Sequence, residues 1–549
     1  IFLKNINNIN INNKKNNKME VKKPSKKKRH TTMNFPTMSK NLEKLTETEK
    51  GSKRKSSQSS NECPTTLVDT NSLKSTILKL NLLTKKYDFY EPPKYSTKPV
   101  GPLKSYSYNS FRGLFKDYNE DRVSITSLVK KPATTKTKTW PKISYFAIFD
   151  GHGGEECAEF LKNNYLNYLV ENTNFPFDIK LAMIETFQKI EENFFKIYCK
   201  ETIDDSDKSG SCALVAVIFD NKIYFANLGD SRAIMSIAGG TKVRQLTMDH
   251  KPDNIKEFER ALKNGSKVYL DDNDDPDRDE SKLEFIKDKV ELEKMKEIKE
   301  ESEEEKIFRV YPSDLAVMRT IGDVKAKKKE FGGIPGTVIN IPEIFVFDIN
   351  SNDDFIIMGC DGIFDDLSNE EIINAAWIVY KNRAKEKNYD IHELSQEACD
   401  MVIKFALEKQ TTDNVSCIVI GLEGIEKYLK MQQLKQKVNS NMNNFKKGII
   451  IDVKNSENLD IIKKNKYQLE TSGIMAKMNS SISMKMMVAK DNSDSAIAKL
   501  LTQGLTMGTV DIAAKIDRYE KDADKKVLDL AKRYLKFQKE AIDILKPYL

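Results

Sequence analysis

Short apolar runs separated by turn residues dominate residues 100–423, and this pattern constrains the fold more than any other feature of the chain. The segment 211–247 predicts a series of strands with turns at Asp220-Asn221 and Gly239-Gly240. Three further buried strands are predicted by the runs KISYFAIF, DDFIIMGC and NVSCIVIGL. Helical patterns lie between the strands, at 155–170, 179–199, 254–264 and after Ser368, where Ser368 and Glu371 fit a capping box. Together they predict an α+β fold in which helices cover β-sheets.

The N-terminal part differs from this middle part. Residues 1–95 are basic and rich in Lys, Ser, Thr and Asn, which predicts a disordered region because there is little apolar surface to bury. Their segment KKPSKKKR, at 22–29, is either a nuclear-import or anion-binding patch or part of a solvated tail. The chain opens with Ile, and we hypothesise that residues 1–18 precede an initiator Met19. A native peptide from residues 1–18 in mass spectrometry would refute that hypothesis.

Residues 424–549 predict a mostly helical C-terminal extension with few strands. The segment 474–488 is rich in Met, which suits either an adaptable binding surface or a loosely packed apolar segment. Near the C-terminus a helical stripe must bury against the core domain, a partner or itself, and a protein partner bound through these helices is therefore one expectation. The stripe consists of Val527, Ala531, Tyr534, Leu535, Ala541, Ile542 and Leu545.

Composition limits the chemistry and the location. The 549 residues exceed one ordinary domain, and the net charge of +8 bears on partners rather than on fold. Seven cysteines without CxxC spacing and four scattered histidines argue against a disulfide framework and against zinc. No apolar run reaches the roughly 20 residues of a membrane helix, and the basic residues lack the interleaved aromatics of a nucleic-acid surface. We therefore expect a protein of the cytoplasm or the nucleus, with neither a membrane nor a specific nucleic acid as partner.

Carboxylates stand where the predicted strands begin or end. In YFAIFDGHGGEECAEF (145–160) a buried strand ends at Asp150, and His152 follows among glycines; alone, this could be a helix N-cap turn. Converging carboxylates need cations to neutralise them. Oxygen ligands without Cys or clustered His select Mg²⁺ or Mn²⁺, and bridging acids imply two such ions. The other acids in such places are Glu120, Asp121, Asp230, Asp323, Asp361, Asp365 and Asp413.

Eight sequence blocks make the chain resemble a known family. In order they are NEDR, FDGHGG, SGSCA, ANLGDSRA, LTMDHKP, LAVMRTIGD, CDGIFD and TTDNVS. From about Gly101 to Leu422 the chain resembles the type 2C, metal-dependent serine/threonine protein phosphatases, apart from an acidic insertion at about 271–306. The resemblance implies a central β-sandwich of two antiparallel sheets flanked by helices, in αββα layers. It also implies a phosphatase domain at 96–423, between the regions 1–95 and 424–549.

The resemblance implies a binuclear metal centre at one end of the sandwich. Asp150 would bridge two Mg²⁺ or Mn²⁺ ions, the carbonyl of Gly151 would ligate one of them, and Asp361 and Asp413 would hold the other. A metal-activated hydroxide would attack the phosphorus of phosphoserine or phosphothreonine in line. His152 would be the general acid that protonates the departing oxygen.

Four more acids would support the metals by resemblance. Glu120 would contact the second metal through a water, with Asp121 beside it. Asp230 and Asp365 match positions that hold a weaker third metal in some members. The acidic insertion corresponds to the flap that borders the active site, and it is either a tolerated solvated insertion or a lobe that favours basic phosphopeptides.

One position departs from the family pattern. Many members have an arginine that binds the substrate phosphate four residues before the Glu of the Glu-Asp pair, and here that position is Lys116. Lysine cannot form the bidentate fork, so we expect weaker phosphate binding rather than inactivity. Arg112 is a second candidate for this role.

Several other polar residues in the matched blocks are predicted to be structural. Arg319 and Asp323 would form a salt bridge or a turn under the sheet, and His250 would be a turn or core residue. Arg232 would form an internal ion pair.

Alternative functions remain open at this point. A catalytically weak or inactive phosphatase-like domain could act as a docking or structural module, and Lys116 is the one feature that favours it. A third hypothesis is a hydrolase of small phosphate esters that shares the same site. The main hypothesis expects phosphoprotein substrates and a monomeric catalytic domain.

Overall fold

The computed structural model describes residues 90–436, except 134–138, 200–207, 272–282, 303–305, 385, 387 and 434, together with 525–546 and some residues between 506 and 520. The predicted disordered region up to residue 89, with the KKPSKKKR segment, lies outside the described residues, as does the Met-rich segment 474–488. The helix predicted near the C-terminus is present at Lys525–Leu545.

The predicted strands form, and the structure adds others. The strands are β1 (Lys94–Tyr95), β2 (Ser105–Phe111), β3 (Arg122–Thr126), β4 (Ile143–His152), β5 (Gly210–Phe219), β6 (Lys222–Leu228), β7 (Arg232–Ile237), β8 (Lys242–Gln245), β9 (Lys267–Asp271), β10 (Phe285–Ile286), β11 (Ile307–Tyr311), β12 (Ile321–Gly322), β13 (Glu343–Asp348), β14 (Asp353–Gly359) and β15 (Val415–Gly421). The predicted turn at Asp220 joins β5 to β6, and its φ of 52° is the left-handed conformation that Asp tolerates in turns.

Helices form at the predicted positions, and the described residues add three others. They are α1 (Glu156–Glu171), α2 (Ile179–Tyr198), α3 (Ile255–Lys263), α4 (Lys289–Glu301), α5 (Val324–Lys327), α6 (Asp361–Phe364), α7 (Asn369–Arg383), α8 (Ile391–Glu408) and α9 (Lys525–Leu545). At the start of α7, Glu371 N donates to Ser368 Oγ at 3.2 Å and Ser368 N donates to Glu371 Oε2 at 2.9 Å, which confirms the capping box. The sequence analysis did not predict α8 or the short helices α5 and α6.

Two antiparallel sheets form the centre of the fold. One has the strand order β1-β2-β15-β14-β7-β8, and the other has the order β13-β6-β5-β4-β3, with β12 paired to β5. The inner faces of both sheets meet in one apolar cluster that includes Phe146, Leu214, Met358 and Ile418. The predicted sandwich of two antiparallel sheets is therefore present.

Helices cover the outer face of each sheet. Alternate residues of β4 point to opposite faces, so Phe146 lies between the sheets while Phe149 packs with α1 and α2. On the other side, α7 and α8 pack against β14 and β15, with Trp377 buried in that cluster. Strands buried on both faces explain why these segments are almost entirely apolar, and the layers follow the predicted αββα order.

The acidic insertion is anchored in a small apolar cluster that it shares with neighbouring segments. A third sheet, with the order β10-β9-β11, packs with α3 and α4. Ile286 and Leu292 come from the insertion, and both are buried there beside Phe308. The expected charged helix is therefore present as α4, but it contributes to a folded core and is more than a solvated segment.

No helix in the described part of the chain combines the length and the apolar character needed to cross a membrane.

Candidate metal centre

The strand ends that carry acids lie at one end of the sandwich. In an antiparallel sheet the end of one strand lies beside the start of the next, so acids at both kinds of position can meet there. β4 ends where β5 begins, with Asp150 opposite Cys212. In the other sheet, β14 ends at Gly359, which lies opposite Cys417 near the start of β15. The turn 229–231, between β6 and β7, joins the two sheets at this same end. The register therefore brings together acids that are far apart in the sequence.

Three carboxylates converge at this end. Ligand oxygens of Asp150, Asp230 and Asp361 all lie within 4.8 Å of one another. Burial, together with the charge of Asp361, raises the pKa of Asp150 well above its usual range. Burial and the charge of Asp230 do the same for the pKa of Asp361. Carboxylates held this close favour a bound cation, because it removes the repulsion between them.

Glu120 and Asp121 lie beside this trio. Both side chains are buried, and Glu120 Oε1 accepts a hydrogen bond of 2.8 Å from Gly154 N. Burial raises the pKa of Asp121 to about 6. The buried Asp121 Oδ2 has no hydrogen-bond partner among the described residues. A buried carboxylate oxygen without a hydrogen-bond partner fits a direct or water-mediated contact with a metal ion. The residues present therefore suit a hard cation that prefers oxygen ligands.

Gly151 allows two backbone segments to approach closely. A Cβ at this position would lie 2.5 Å from the carbonyl oxygen of Glu120 and 3.1 Å from Ala158 Cβ. The contact with backbone cannot be relieved by a rotamer change. Glycine at 151 is therefore required where the strand carrying Asp150 meets the segment carrying Glu120.

His152 is held by Asp323. Its Nε2 lies 3.0 Å from both Asp323 Oδ1 and Asp323 Oδ2. Burial by itself lowers the pKa of His152, but the Asp323 carboxylate outweighs this effect and the net shift is upward. Burial likewise raises the pKa of Asp323, while His152 lowers it to a net downward shift. The pair therefore favours the charged imidazolium and carboxylate.

The backbone around this pair is shaped to accommodate it. Asp323 has a φ of 51°, the left-handed region that few residues with a side chain adopt. A Cβ on Gly210 would lie 2.1 Å from Asp323 Oδ2 and 2.4 Å from His152 Nε2. Gly210, in the SGSCA block, therefore leaves room for the His152–Asp323 pair because it has no side chain. The sequence alone did not reveal this role.

Lys116 lies next to a predicted metal ligand. Its Nζ is 2.9 Å from Asp413 Oδ1, and both side chains are partly exposed. Burial opposes the charged ammonium, but Asp413 and Glu120 raise the pKa of Lys116 overall. Arg112, the second candidate, donates from Nη1 to the Lys116 carbonyl at 2.5 Å, which supports the loop that carries Lys116.

Asn414 connects three segments of the site, and the sequence analysis gave it no role. Its Oδ1 accepts from Glu120 N at 2.8 Å, and its Nδ2 donates to Arg112 O at 2.8 Å and to Tyr118 O at 3.2 Å. The side chain is buried. Asn414 therefore fixes the position of the loop carrying Lys116 and Glu120 relative to Asp413.

Three residues predicted to be structural have structural contacts. Arg319 Nη2 lies 2.6 Å from Glu257 Oε1, and Arg232 pairs with Asp249 through an Nε–Oδ1 contact of 3.0 Å. His250 is buried. The expectation for Asp323 needs correction: it does form an ion pair, but with His152 in the site and not under the sheet.

Asp365 and Asp413 do not belong to the trio of converging oxygens. Asp365 Oδ1 lies 2.6 Å from the ammonium group of Lys251, whose Nζ is also 3.7 Å from Asp230 Oδ2. The described residues thus bring Asp150, Asp230 and Asp361 together directly. The remaining acids surround that trio with lysines between them.

The fold and the site define a class of protein before any comparison. An antiparallel αββα sandwich presents converging carboxylates and a histidine paired with a carboxylate at one end, an arrangement that fits the binding of a hard metal ion. Comparison with known proteins makes the class specific. The family model of protein phosphatase 2C matches residues 117–415. The chain belongs to the protein phosphatase 2C family.

The chain is also similar to individual proteins. "Probable protein phosphatase 2C 22" of Arabidopsis thaliana is 28% identical over 286 residues, which are 51% of this chain and 59% of that protein. "Protein phosphatase 2C 1" of Paramecium tetraurelia is 26% identical over 284 residues, covering 50% of this chain and 80% of its own. A crystal structure of serine-threonine phosphatase 2C from Toxoplasma gondii aligns with a TM-score of 0.42 and 17% identity, over 61% of this chain and 100% of that one.

Proposed function

We propose that this chain is a metal-dependent protein serine/threonine phosphatase that hydrolyses phosphoserine and phosphothreonine in proteins. The convergence of Asp150, Asp230 and Asp361 beside the His152–Asp323 pair carries the proposal. The family membership supports the same reaction class. The matched part of the chain spans less than two thirds of the Arabidopsis relative, so the activity and the substrates of the whole protein are part of the proposal.

The carboxylates would hold two divalent cations, Mg²⁺ or Mn²⁺. Asp150, Asp361 and Asp413, with the carbonyl of Gly151, are the residues that would hold them, and Glu120 and Asp121 would contribute through water. When bound, such ions supply charge neutralisation at the phosphoryl group and lower the pKa of a water. Asp150 and Asp361 are half-buried at the ends of β4 and β14, so the fold would hold these oxygens in place with little reorganisation.

His152 would donate the proton to the leaving oxygen of the substrate. Asp323 accepts from Nε2, so the second proton of the imidazolium resides on Nδ1, the atom from which it would be transferred. A general acid of this kind contributes roughly 10²–10⁴-fold to rate. Asp323 would orient the ring and favour its charged form, and its two contacts of 3.0 Å support this role.

Lys116 would bind the phosphoryl oxygens from the rim of the site. Its Nζ lies beside Asp413, so its positive charge stands next to the carboxylates rather than far from them. Lysine provides a point charge in place of the planar fork of arginine. The expected result is a functional but weaker contact with the phosphate dianion.

The proposal is tested by phosphate release from a phosphothreonine peptide. The full chain would be assayed with Mn²⁺, with a chelator, and as the double variant Asp150→Ala with Asp413→Ala. A matched control is Asp348→Ala, which removes an exposed carboxylate paired with Lys222 far from the site. Release that requires Mn²⁺, persists in the control and disappears in the double variant is the expected result.

The same assay separates the competing functions. A folded wild-type chain that binds Mn²⁺ but releases no phosphate would overturn the enzyme proposal and favour a docking or structural module. Faster hydrolysis of small phosphate esters than of phosphopeptides would favour the small-molecule hydrolase. In both cases the metal centre would stand, and only the role proposed for it would change.

A further inference from the structure

Lys251 places an ammonium group inside the carboxylate cluster. Its Nζ lies 2.6 Å from Asp365 Oδ1 and 3.7 Å from Asp230 Oδ2. Asp230 also belongs to the trio formed with Asp150 and Asp361. A positive charge is therefore already present beside the oxygens that a further divalent cation between Asp230 and Asp365 would require.

The backbone next to Lys251 is held firmly against the turn after β6. Asp249 pairs with Arg232 through both carboxylate oxygens, at 3.0 Å to Nε and 2.5 Å to Nη2. His250 N donates to the carbonyl of Gly229 at 3.0 Å, and Gly229 N lies 3.2 Å from His250 Nδ1. Lys251 is the next residue, so its side chain starts from a fixed position rather than from a mobile surface loop.

Lys251 is largely covered by the residues around it. Only 27% of its side chain is exposed, and the Asp230 side chain is 4% exposed. An ammonium group at this place repels a further cation and pairs with the two carboxylates that would bind one.

We propose that Lys251 is a built-in cation that takes the place of a third divalent ion, so that this chain binds two divalent cations rather than three. The inference rests on the proposed metal-dependent function and specifies the composition of its centre. Asp365 then pairs with Lys251 and is not a metal ligand. Asp230 neutralises the ammonium on one side and belongs to the carboxylate trio on the other.

The test counts bound Mn²⁺ by equilibrium dialysis of the full chain, from micromolar to millimolar free Mn²⁺. Wild type is expected to bind two ions. Lys251→Met is expected to bind three, because it frees the oxygens of Asp230 and Asp365 and removes the repelling charge. Adding Asp365→Asn to that variant is expected to return the count to two.

Lys256→Met is the matched control. Lys256 lies on α3, its side chain is 75% exposed, and it is paired with Glu343 at 3.6 Å. The substitution removes the same charge from the neighbouring surface without touching the cluster, so two bound ions are expected. Three ions in this control would show that net charge, and not the position of Lys251, sets the count.

Asp365→Asn alone keeps the proposal testable if Lys251→Met fails to fold. The proposal expects this single variant to bind two ions, as wild type does, whereas an Asp365 that ligates metal predicts the loss of one. Three ions in wild type, or two in a folded Lys251→Met, would overturn the proposal. Wild type that binds no Mn²⁺ at all would overturn the metal-dependent function itself, which is a distinguishable outcome.

Discussion

His152 Nε2 lies 3.0 Å from each carboxylate oxygen of Asp323, a residue 171 positions later in the chain. The contact joins the end of β4 to the turn after β12. It supplies the orienting partner that a histidine needs to act as a proton donor in a fixed direction. The predictions below begin with this pair.

Asp323→Asn should lower kcat and shift the pH dependence of the reaction. The carboxylate raises the pKa of His152, so its loss should lower that pKa and move the alkaline limb of the kcat profile to lower pH. The loss of kcat should be smaller than the roughly 10²–10⁴-fold contribution of the acid itself. A pH–rate profile on a phosphothreonine peptide at saturating Mn²⁺ measures both effects.

The same pair should also stabilise the fold over a defined pH range. Because folding raises the pKa of His152, its protonated form stabilises the fold, and this stabilisation is lost as the pH rises through that pKa. Because folding lowers the pKa of Asp323, its ionised form stabilises the fold, and this stabilisation is lost as the pH falls through that pKa. The stability difference between wild type and Asp323→Asn should therefore be largest between about pH 4 and 6.5. A difference in urea midpoint that does not change with pH would contradict this.

Gly210→Ala should damage the site without unfolding the protein. The new Cβ would overlap Asp323 Oδ2 and His152 Nε2, so the ionic side chains must move away from each other. We expect a fall in kcat of about tenfold or more, since misplacing a catalytic group by about 1 Å is costly. Mn²⁺ binding measured by dialysis should be nearly unchanged, because the metal-binding oxygens do not contact this glycine. Wild-type kcat in the variant would refute the packing argument.

Asp150→Asn should stabilise the metal-free protein and abolish stabilisation by metal. Burial and Asp361 raise the pKa of Asp150, so at neutral pH its ionised form is destabilising until a cation binds. Removing the charge should raise the Tm in chelator. Wild type should gain about 2.7 kcal/mol at 100 times its Kd for Mn²⁺, and the variant should gain almost nothing.

Asp348→Asn provides the matched control for that experiment. Asp348 is an exposed carboxylate on β13 paired with Lys222, away from the cluster. Its loss should change the Tm very little, with or without Mn²⁺, since exposed ion pairs contribute roughly 0–1 kcal/mol. If Asp150→Asn behaves like this control, Asp150 does not bind a metal.

Lys116→Arg should strengthen phosphate binding, and Lys116→Met should weaken it. Arginine offers two parallel donors to phosphate oxygens, whereas lysine offers a point charge. We expect the inhibition constant of inorganic phosphate to fall in the arginine variant and to rise several-fold in the methionine variant. Equal constants in all three proteins would show that Lys116 only neutralises Asp413.

The sequence by itself determined the strand and helix pattern and most of the acids of the site. Short apolar runs and the Ser368–Glu371 capping box depend on neighbours a few residues apart, so local chemistry specified them. The positions of Asp150, Asp361 and Asp413 at strand ends were visible for the same reason.

Only the tertiary structure decided which of these groups meet. The partner of His152 is Asp323, the partner of Asp365 is Lys251, and Asn414 joins the loop of Lys116 to Asp413. The insertion also contributes Leu292 to a core that its acidic composition concealed. Such contacts depend on strand register and turn geometry between distant segments, and the chemical character of a residue does not show which distant residue will face it.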